Sequence, residues 1–263
     1  MPDAHLIPLA DDGAACADCP YRDELLAQGL CEPGDVCVRA HSGRQIDRFL
    51  RRYPQYAERY LADGFWERRA IAARYAPIDL VRPLAKDPDE VVRRAVATRL
   101  PAEEMRVLMR DPDREVRITV ASRMPAKDLD PLVTDPDYMV RLMVAHRLRH
   151  GQLPRMAHDP DREVRKEVAR RLPPFALNRM AQDEDVEVRR IAAGRLLPED
   201  AVPLLADLDW FVRLEAAGQA PVASLTTLLN DPEADVRERA RKRIQESELE
   251  AGPQESEHRE DPS

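Results

Sequence analysis

The apolar positions of this chain recur with a period of 24 residues. Each period has a valine, then Val or Ala four residues later and an apolar residue eight residues later. The valines are Val92, Val116, Val140, Val164, Val188, Val212 and Val236. Steps of four residues stay on one face of an α-helix, so the pattern predicts one amphipathic helix per period. The variable positions 90, 91, 94, 95 and 98 and their equivalents are expected to face solvent.

Aspartate and proline residues at the two ends of the pattern predict the helix boundaries. An aspartate opens each period, usually followed by proline, at Asp87, Asp111, Asp135, Asp159, Asp183, Asp207 and Asp231. We expect Asp87 to be the N-cap, Pro88 the first helical residue, and Asp89 and Glu90 part of the first turn. Prolines such as Pro101 close many of the helices. About ten residues then remain, enough for one short second helix of the 3₁₀ type.

Eight such units span residues 63–244, the first with Arg68 in place of the valine. One short helix pair cannot bury its apolar face alone, so successive units are expected to stack. The predicted fold class is therefore all-α, a helical repeat array.

Arginine also recurs with the 24-residue period, next to the apolar stripe, at Arg69, Arg93, Arg117, Arg141, Arg165, Arg189, Arg213 and Arg237. A second arginine column, represented by Arg99, lies on the other edge of the stripe. Asp89 precedes Arg93 by four residues, which predicts an ion pair within each repeat. Two interpretations compete: half-buried pairs that hold neighbouring repeats together, or a ladder that grips nucleic-acid phosphates. The first is favoured because the acids recur as regularly as the bases and no stacking aromatics accompany them.

The net charge of −8 is unevenly distributed. Residues 1–40 carry eight acidic and two basic side chains, and residues 245–263 carry seven and one, so the middle is mildly basic. That charge is too small to indicate nucleic-acid binding by itself. No apolar run reaches the roughly 18 residues of a membrane span, and no signal peptide is evident, so a cytoplasmic protein is expected. The acidic segment 245–263 is predicted to be a frayed helix end and a disordered tail.

All four cysteines, Cys16, Cys19, Cys31 and Cys37, lie near the beginning of the chain with the spacing C-x2-C-x11-C-x5-C. In a small segment punctuated by Gly and Pro, they indicate a single tetrathiolate site rather than disulfides. Zinc ribbons usually pair two C-x2-C turns, whereas the wider second spacing here suits a larger iron–sulfur cube. The chemistry of the residues leaves zinc and iron–sulfur open.

The recurring pattern DPDxEVRxxVAxRLP, together with the four cysteines, resembles the leucine-rich repeat variant proteins of bacteria. The resemblance implies an N-terminal [4Fe–4S] domain whose ligands are Cys16, Cys19, Cys31 and Cys37, with zinc as the lesser alternative. It also implies a right-handed superhelix of alternating α- and 3₁₀-helices, and it brings no established activity. The departures are Arg68, DED at 183–185, DLD at 207–209 and HRLRHGQLP at 146–154; they affect local regularity only.

The expected domains are residues 1–44 as the cysteine domain, 45–62 as a helical cap, 63–244 as the repeats and 245–263 as the tail. Residues 44–66 are aromatic and basic, which favours a cap on the first repeat over a docking surface or an electron path. Five histidines are possible metal ligands by residue type but are expected to have no such role: His5, His41, His146, His150 and His158.

No set of nucleophile, base and acid stands out, so the chain is predicted not to be an enzyme. The favoured function is an iron–sulfur repeat protein that acts as a redox-linked interaction scaffold or an electron-transfer or sensing partner of another protein. Nearby backbone amides, and Arg22 or Arg39, would then tune the cluster potential. The alternatives are a nucleic-acid-binding array with a structural metal site and a protein scaffold that does not respond to redox state.

Overall fold

The computed structural model describes residues 14–17 and 19–251, which form two compact units, Met1–Leu132 and Val133–Ser263. Within this part of the chain the β-structure is limited to one isolated bridge between Glu32 and Val36. The α-helices of the first unit are Ala14–Ala17, Gly43–Arg52, Trp66–Tyr75, Ile78–Val81, Glu90–Ala97 and Arg114–Arg123. Those of the second are Tyr138–Arg147, Arg162–Arg171, Val186–Ala193, Pro198–Ala201, Trp210–Gln219 and Ala234–Ala251. The predicted all-α fold class is confirmed.

Short 3₁₀ helices follow the α-helices. In the first unit they are Pro54–Tyr60, Arg82–Lys86, Met105–Leu108, Ala126–Asp128 and Asp130–Leu132. In the second they are His150–Met156, Pro174–Ala176, Met180–Gln182, Val202–Ala206 and Val222–Leu228. One π-helical turn, Arg22–Leu26, lies between the cysteines. The alternation of α- and 3₁₀-helices therefore agrees with the expectation from the repeat pattern.

The core consists of the columns that the periodicity placed on one face. Val92 and its six equivalents are completely buried, as are the Val and Ala residues four positions later. The 3₁₀ helices add Met105, Leu108 and Leu153 to the same apolar layer. Thr98 and His146, on the opposite face, are exposed, whereas Ala95, which was also expected to face solvent, is buried. The 24-residue spacing thus aligns the buried faces of successive helices within each unit.

The predicted N-cap is wrong by two residues. The cap is Asp89, whose carboxylate accepts a hydrogen bond of 2.9 Å from the N–H of Val91, and the helix begins at Glu90. Asp87 instead accepts the N–H of Asp89 at 2.9 Å, which closes a turn before the helix. Asp89 itself is extended (φ −91°, ψ 128°), so the helix cannot begin before Glu90, and proline is not the cause because Asp185 and Asp209 cap their helices in the same way after Glu184 and Leu208. The chain needs the second aspartate to satisfy the first free N–H groups of the helix.

The predicted ion pair within each repeat is also wrong, because the arginine binds the next repeat. Nε and Nη2 of Arg93 donate to the two carboxylate oxygens of Asp111, 18 residues later, at 2.7 and 2.9 Å. Its Nη1 donates to the carbonyls of Asp87 and Pro88 at 2.8 and 3.0 Å. Asp89 is already used as the cap, and the planar guanidinium fork matches a carboxylate that faces it across the repeat boundary. Within the two units the pairs are Arg69–Asp87, Arg93–Asp111, Arg141–Asp159, Arg165–Asp183, Arg189–Asp207 and Arg213–Asp231.

The second arginine column binds the preceding repeat. Nη1 of Arg99 donates to the carbonyls of Ala73 and Ala76, at 2.8 and 2.6 Å, where the previous helix ends. Gln219 replaces arginine in the seventh repeat and donates to the carbonyl of Gly194 at 2.9 Å. An interior repeat such as the second therefore satisfies the C-terminal carbonyls of one neighbour and a carboxylate of the other.

The two ends of the described chain also differ from the regular repeat. The Gly43–Arg52 helix packs on the Trp66–Tyr75 helix and precedes the 3₁₀ helix Pro54–Tyr60. At the other end, the helix Ala234–Ala251 includes residues 245–251, which the sequence analysis placed in the acidic segment. That stretch is rich in Glu and other helix formers, which favours continuation of the helix. The remainder of the predicted tail, 252–263, lies outside the described residues.

Candidate iron–sulfur site

The first two cysteines lie on one tight turn. The N–H of Cys19 donates to the carbonyl of Cys16 at 3.3 Å, and the N–H of Arg22 donates to the carbonyl of Cys19 at 3.1 Å. Both side chains are partly exposed, and Pro20 follows directly. A C-x2-C turn of this kind presents two thiols to one side of the backbone, as a shared metal centre requires.

The second pair of cysteines flanks a small closed loop. Glu32 and Val36 exchange backbone hydrogen bonds of 3.2 and 2.8 Å, and the loop between them contains Gly34 with a φ of 80°. A left-handed residue at this position favours glycine, because other side chains are strained there. The Cys31 thiol donates to the carbonyl of Val36 at 3.4 Å, and Cys37 follows as the most buried of the four. The five residues between Cys31 and Cys37 are therefore the residues of this loop.

Gln45, which belongs to the Gly43–Arg52 helix, holds that loop through hydrogen bonds. Its side-chain amide donates to the carbonyl of Gly34, and its own carbonyl accepts the N–H of Cys37 at 3.4 Å. Gln45 lies one period before Arg69, so it occupies the arginine position of the unit that would precede the first repeat. Sequence analysis missed this residue, although its place in the 24-residue count was a usable signal.

The four thiols share one electrostatic environment. Burial raises the pKa of Cys31 to about 11, with further contributions from Cys37, Cys19 and Cys16. Burial also raises the pKa of Cys37. The charges of Cys16 and Cys19 act on it in the same direction, whereas the N–H groups of Arg39 and Ala40 lower it by hydrogen bonding to the Cys37 sulfur. None of the four cysteines forms a disulfide.

In chemical type, these four donors suit an iron–sulfur cluster, which takes its cysteines on different iron ions rather than on a single one. With their pKa raised, the thiols of Cys31 and Cys37 stay protonated unless a positive centre replaces their protons, which is the charge that a bound metal or iron–sulfur cluster supplies. N–H groups that point at sulfur are the usual outer hydrogen bonds of such a centre. Across the described residues, no three Cys, His, Asp or Glu side chains are spaced to hold a single metal ion.

An aromatic layer packs behind the cysteine turns. The ring of Tyr21 lies 5.0 Å from that of Tyr56 and 6.5 Å from that of Tyr60, measured between centroids. Tyr53 donates to the carbonyl of Leu30 at 2.5 Å, and Tyr56 donates to the carboxylate of Glu24 at 2.8 Å. The aromatic segment predicted as a cap therefore joins the Gly43–Arg52 helix to the cysteine turns.

The histidines lie in other surroundings. His146 contacts a carboxylate oxygen of Glu167 at 2.9 Å, and His150 contacts the carbonyl of Arg171 at 2.8 Å. His158 and His41 are exposed, and the ring of His41 lies 6.0 Å from that of Phe65. His5 lies outside the described residues.

Among the described helices, none is long and apolar enough to cross a bilayer.

Comparison with known proteins places both parts of the chain. Residues 12–59 match the family model described as the LRV protein FeS4 cluster, and residues 162–185 match the leucine-rich repeat variant model. A curated protein of Rhodobacter capsulatus, described as an uncharacterized 27.7 kDa protein in the nifB 3′ region, is 40% identical over 86 residues. This match covers 33% of the chain and 35% of that relative, so it spans about a third of the length of each.

Solved structures give a longer match. An engineered protein is 17% identical with a TM-score of 0.40, and the match covers 80% of this chain and 86% of the engineered one. A structure described as a leucine-rich repeat variant with a novel repetitive protein structural motif is 51% identical with a TM-score of 0.84. That match covers 90% of this chain and 100% of the solved chain. With both motifs in place and this degree of identity over most of its length, the chain belongs to the leucine-rich repeat variant family.

Proposed function

We propose that this chain is a non-enzymatic iron–sulfur repeat protein that binds a protein partner in a manner dependent on the state of its cluster. Cys16, Cys19, Cys31 and Cys37 would hold one [4Fe–4S] cluster. When bound, the cluster supplies reversible one-electron chemistry. The observation that carries the proposal is the group of four interacting thiols in a segment that matches the FeS4 cluster family model.

The chain's own residues would set the surroundings of the cluster. Backbone N–H groups of Arg39 and Ala40 already donate to the Cys37 sulfur, and Gln45 holds the loop between Cys31 and Cys37. The side chains of Arg22 and Arg39 are exposed, so their influence on the cluster is electrostatic and screened by solvent. Backbone amides are therefore the stronger candidates for tuning the potential.

A protein partner is favoured over a nucleic acid because both arginine columns are occupied within the protein. Arg93 and Arg213 have side chains that are 11% exposed, and each is bound to two carboxylate oxygens of the next repeat. A guanidinium that also donates to two carbonyls has few N–H groups left for a phosphate. The varied face, with residues such as Thr98 and His146, is the surface left to recognise a partner.

The partner proposal is tested by capturing proteins from the native host with the oxidised and with the dithionite-reduced protein. A protein captured in one state and released in the other supports a redox-linked scaffold. Identical capture in both states would instead leave a scaffold whose cluster is only structural. In parallel, affinity for duplex and single-stranded DNA and RNA is measured as salt is varied, and tight, steeply salt-dependent binding would overturn the choice of a protein partner.

A further inference from the structure

Arg68 is the one residue of its column that is not valine, and it is buried. Its equivalents in the other seven repeats run from Val92 to Val236, whereas Arg68 is only 7% exposed. Nη1 of Arg68 donates to both carboxylate oxygens of Asp63 at 2.8 Å. Nη2 donates to the carbonyl of Ala40 at 3.4 Å, and Nε has no hydrogen-bond partner. Burying a guanidinium at an apolar position is costly, so a compensating role is expected.

The first part of that role concerns Asp63. Asp87 and the other paired aspartates within the two units accept a guanidinium from the preceding repeat. Asp63 opens the first repeat, and one period before Arg69 the chain has Gln45, which is bound to Gly34. Arg68 supplies the missing cation from within the repeat, with the rings of Phe65 and Tyr60 at 5.5 and 6.0 Å from its guanidinium carbon.

The second part concerns the cysteine domain. Ala40, whose carbonyl accepts from Arg68, also donates its N–H to the sulfur of Cys37, as does Arg39. Ala40 thus lies between the Cys37 sulfur and Arg68, which in turn binds Asp63, where the first repeat begins. The N–H and the carbonyl of Ala40 belong to different peptide groups, so Arg68 acts by holding Ala40 in position. It thereby fixes the orientation of the N–H that points at the sulfur.

We propose that Arg68 is a positioning residue that joins the cluster domain to the repeats and raises the reduction potential of the cluster held at Cys37. N–H···S bonds stabilise the reduced cluster, which carries one more negative charge than the oxidised one, and loss of Arg68 would also leave the Asp63 carboxylate without its cation. The inference rests on the proposed iron–sulfur function. It adds a specific route by which a change in the repeats can reach the cluster.

The test compares reduction potentials of the full-length protein, purified anaerobically, titrated with dithionite and followed by absorbance and electron paramagnetic resonance. Arg68→Val restores the residue of the other repeats, and Arg68→Lys keeps the charge but loses the two-pronged donor. Arg93→Val is the matched control, since it removes the same kind of pair from Asp111, one repeat further from the cysteines. Iron and sulfide content are measured for every variant.

Arg68→Val is expected to keep its iron and to lower the ratio of reduced to oxidised cluster at a fixed potential by about threefold or more. A tenfold change corresponds to 59 mV for a one-electron couple. Arg68→Lys should shift the potential in the same direction by less, and Arg93→Val should leave it unchanged. An unchanged potential in Arg68→Val, or in Arg68→Lys if the valine variant loses its cluster, would overturn the inference. Absence of iron from the wild-type protein would overturn the proposed function instead.

Discussion

Arg165 donates two parallel hydrogen bonds to the carboxylate of Asp183, the first residue of the next repeat. Nε donates at 2.8 Å and Nη2 at 3.0 Å, and both side chains are 8% exposed. The same guanidinium also lies 3.2 Å from Glu184, whose side chain is 85% exposed. One arginine therefore has a buried and an exposed acidic partner on adjacent residues, and the two should differ greatly in their contribution to stability.

Replacing Asp183 with alanine is expected to lower the free energy of unfolding by about 3–5 kcal/mol, because it leaves a buried guanidinium without its partner. Replacing Glu184 with alanine should have no measurable effect, since an exposed ion pair in high dielectric contributes little. Urea denaturation followed by circular dichroism measures both. Equal losses for the two variants would show that the buried pairs do not hold the repeats together.

The corrected N-cap gives a second prediction. Asp113 accepts the N–H groups of Glu115 and Val116 at 2.9 and 3.1 Å, so Asp113→Ala should cost about 1 kcal/mol of stability. Asp113→Ser retains a side-chain acceptor and should recover most of that loss in the same urea titration. If the serine variant is no more stable than the alanine variant, Asp113 does not act as a cap.

The buried Arg–Asp pairs also predict how the stability of the fold depends on pH. The hydrogen bond from Arg213 lowers the pKa of Asp231 below its usual range, outweighing the effect of burial. Because the folded-state pKa lies below the unfolded value near 3.9, the folded state binds fewer protons, and the pair's contribution is fully present above about pH 5. Stability should fall as the pH drops below about 4 and through the folded-state pKa. Urea midpoints measured between pH 7 and pH 3 test this.

Arg213→Met is the control for the pH series. It removes the cation, so the variant should be less stable at pH 7 and lose less stability on acidification than the wild-type chain. Parallel acid profiles for the two proteins would mean that other carboxylates determine the pH dependence.

Much of the fold followed from the 24-residue period, because a helix that stacks on its neighbours must repeat its buried face. The column of valines gave the core, and the regular aspartates correctly suggested that arginine binds within the protein. The partner of each arginine did not follow, because the spacing along one helix suggested Asp89–Arg93, which is wrong, and gives no information across the boundary between repeats. Only the folded chain shows that Arg93 reaches Asp111.

At the candidate site, the sequence identified the four thiols but not what holds them. Cysteines are recognisable by type, whereas the donors around Cys37 are backbone N–H groups that any residue could supply. Gln45 and Arg68 stood out only as departures from a periodic column, and their partners are the backbone carbonyls of Gly34 and Ala40, which any residue could supply.

The central claim is that the chemistry of this protein lies at Cys16, Cys19, Cys31 and Cys37, and that the repeated arginines hold neighbouring repeats together. Its most direct test is the iron and acid-labile sulfide content of the anaerobically purified chain, beside a variant with Cys31 and Cys37 changed to serine. The account predicts about four iron and four sulfide per wild-type chain and the loss of both from the variant, with the helical circular dichroism of the repeats retained. Zinc without sulfide in the wild-type chain, or a full complement of iron in the variant, would contradict it.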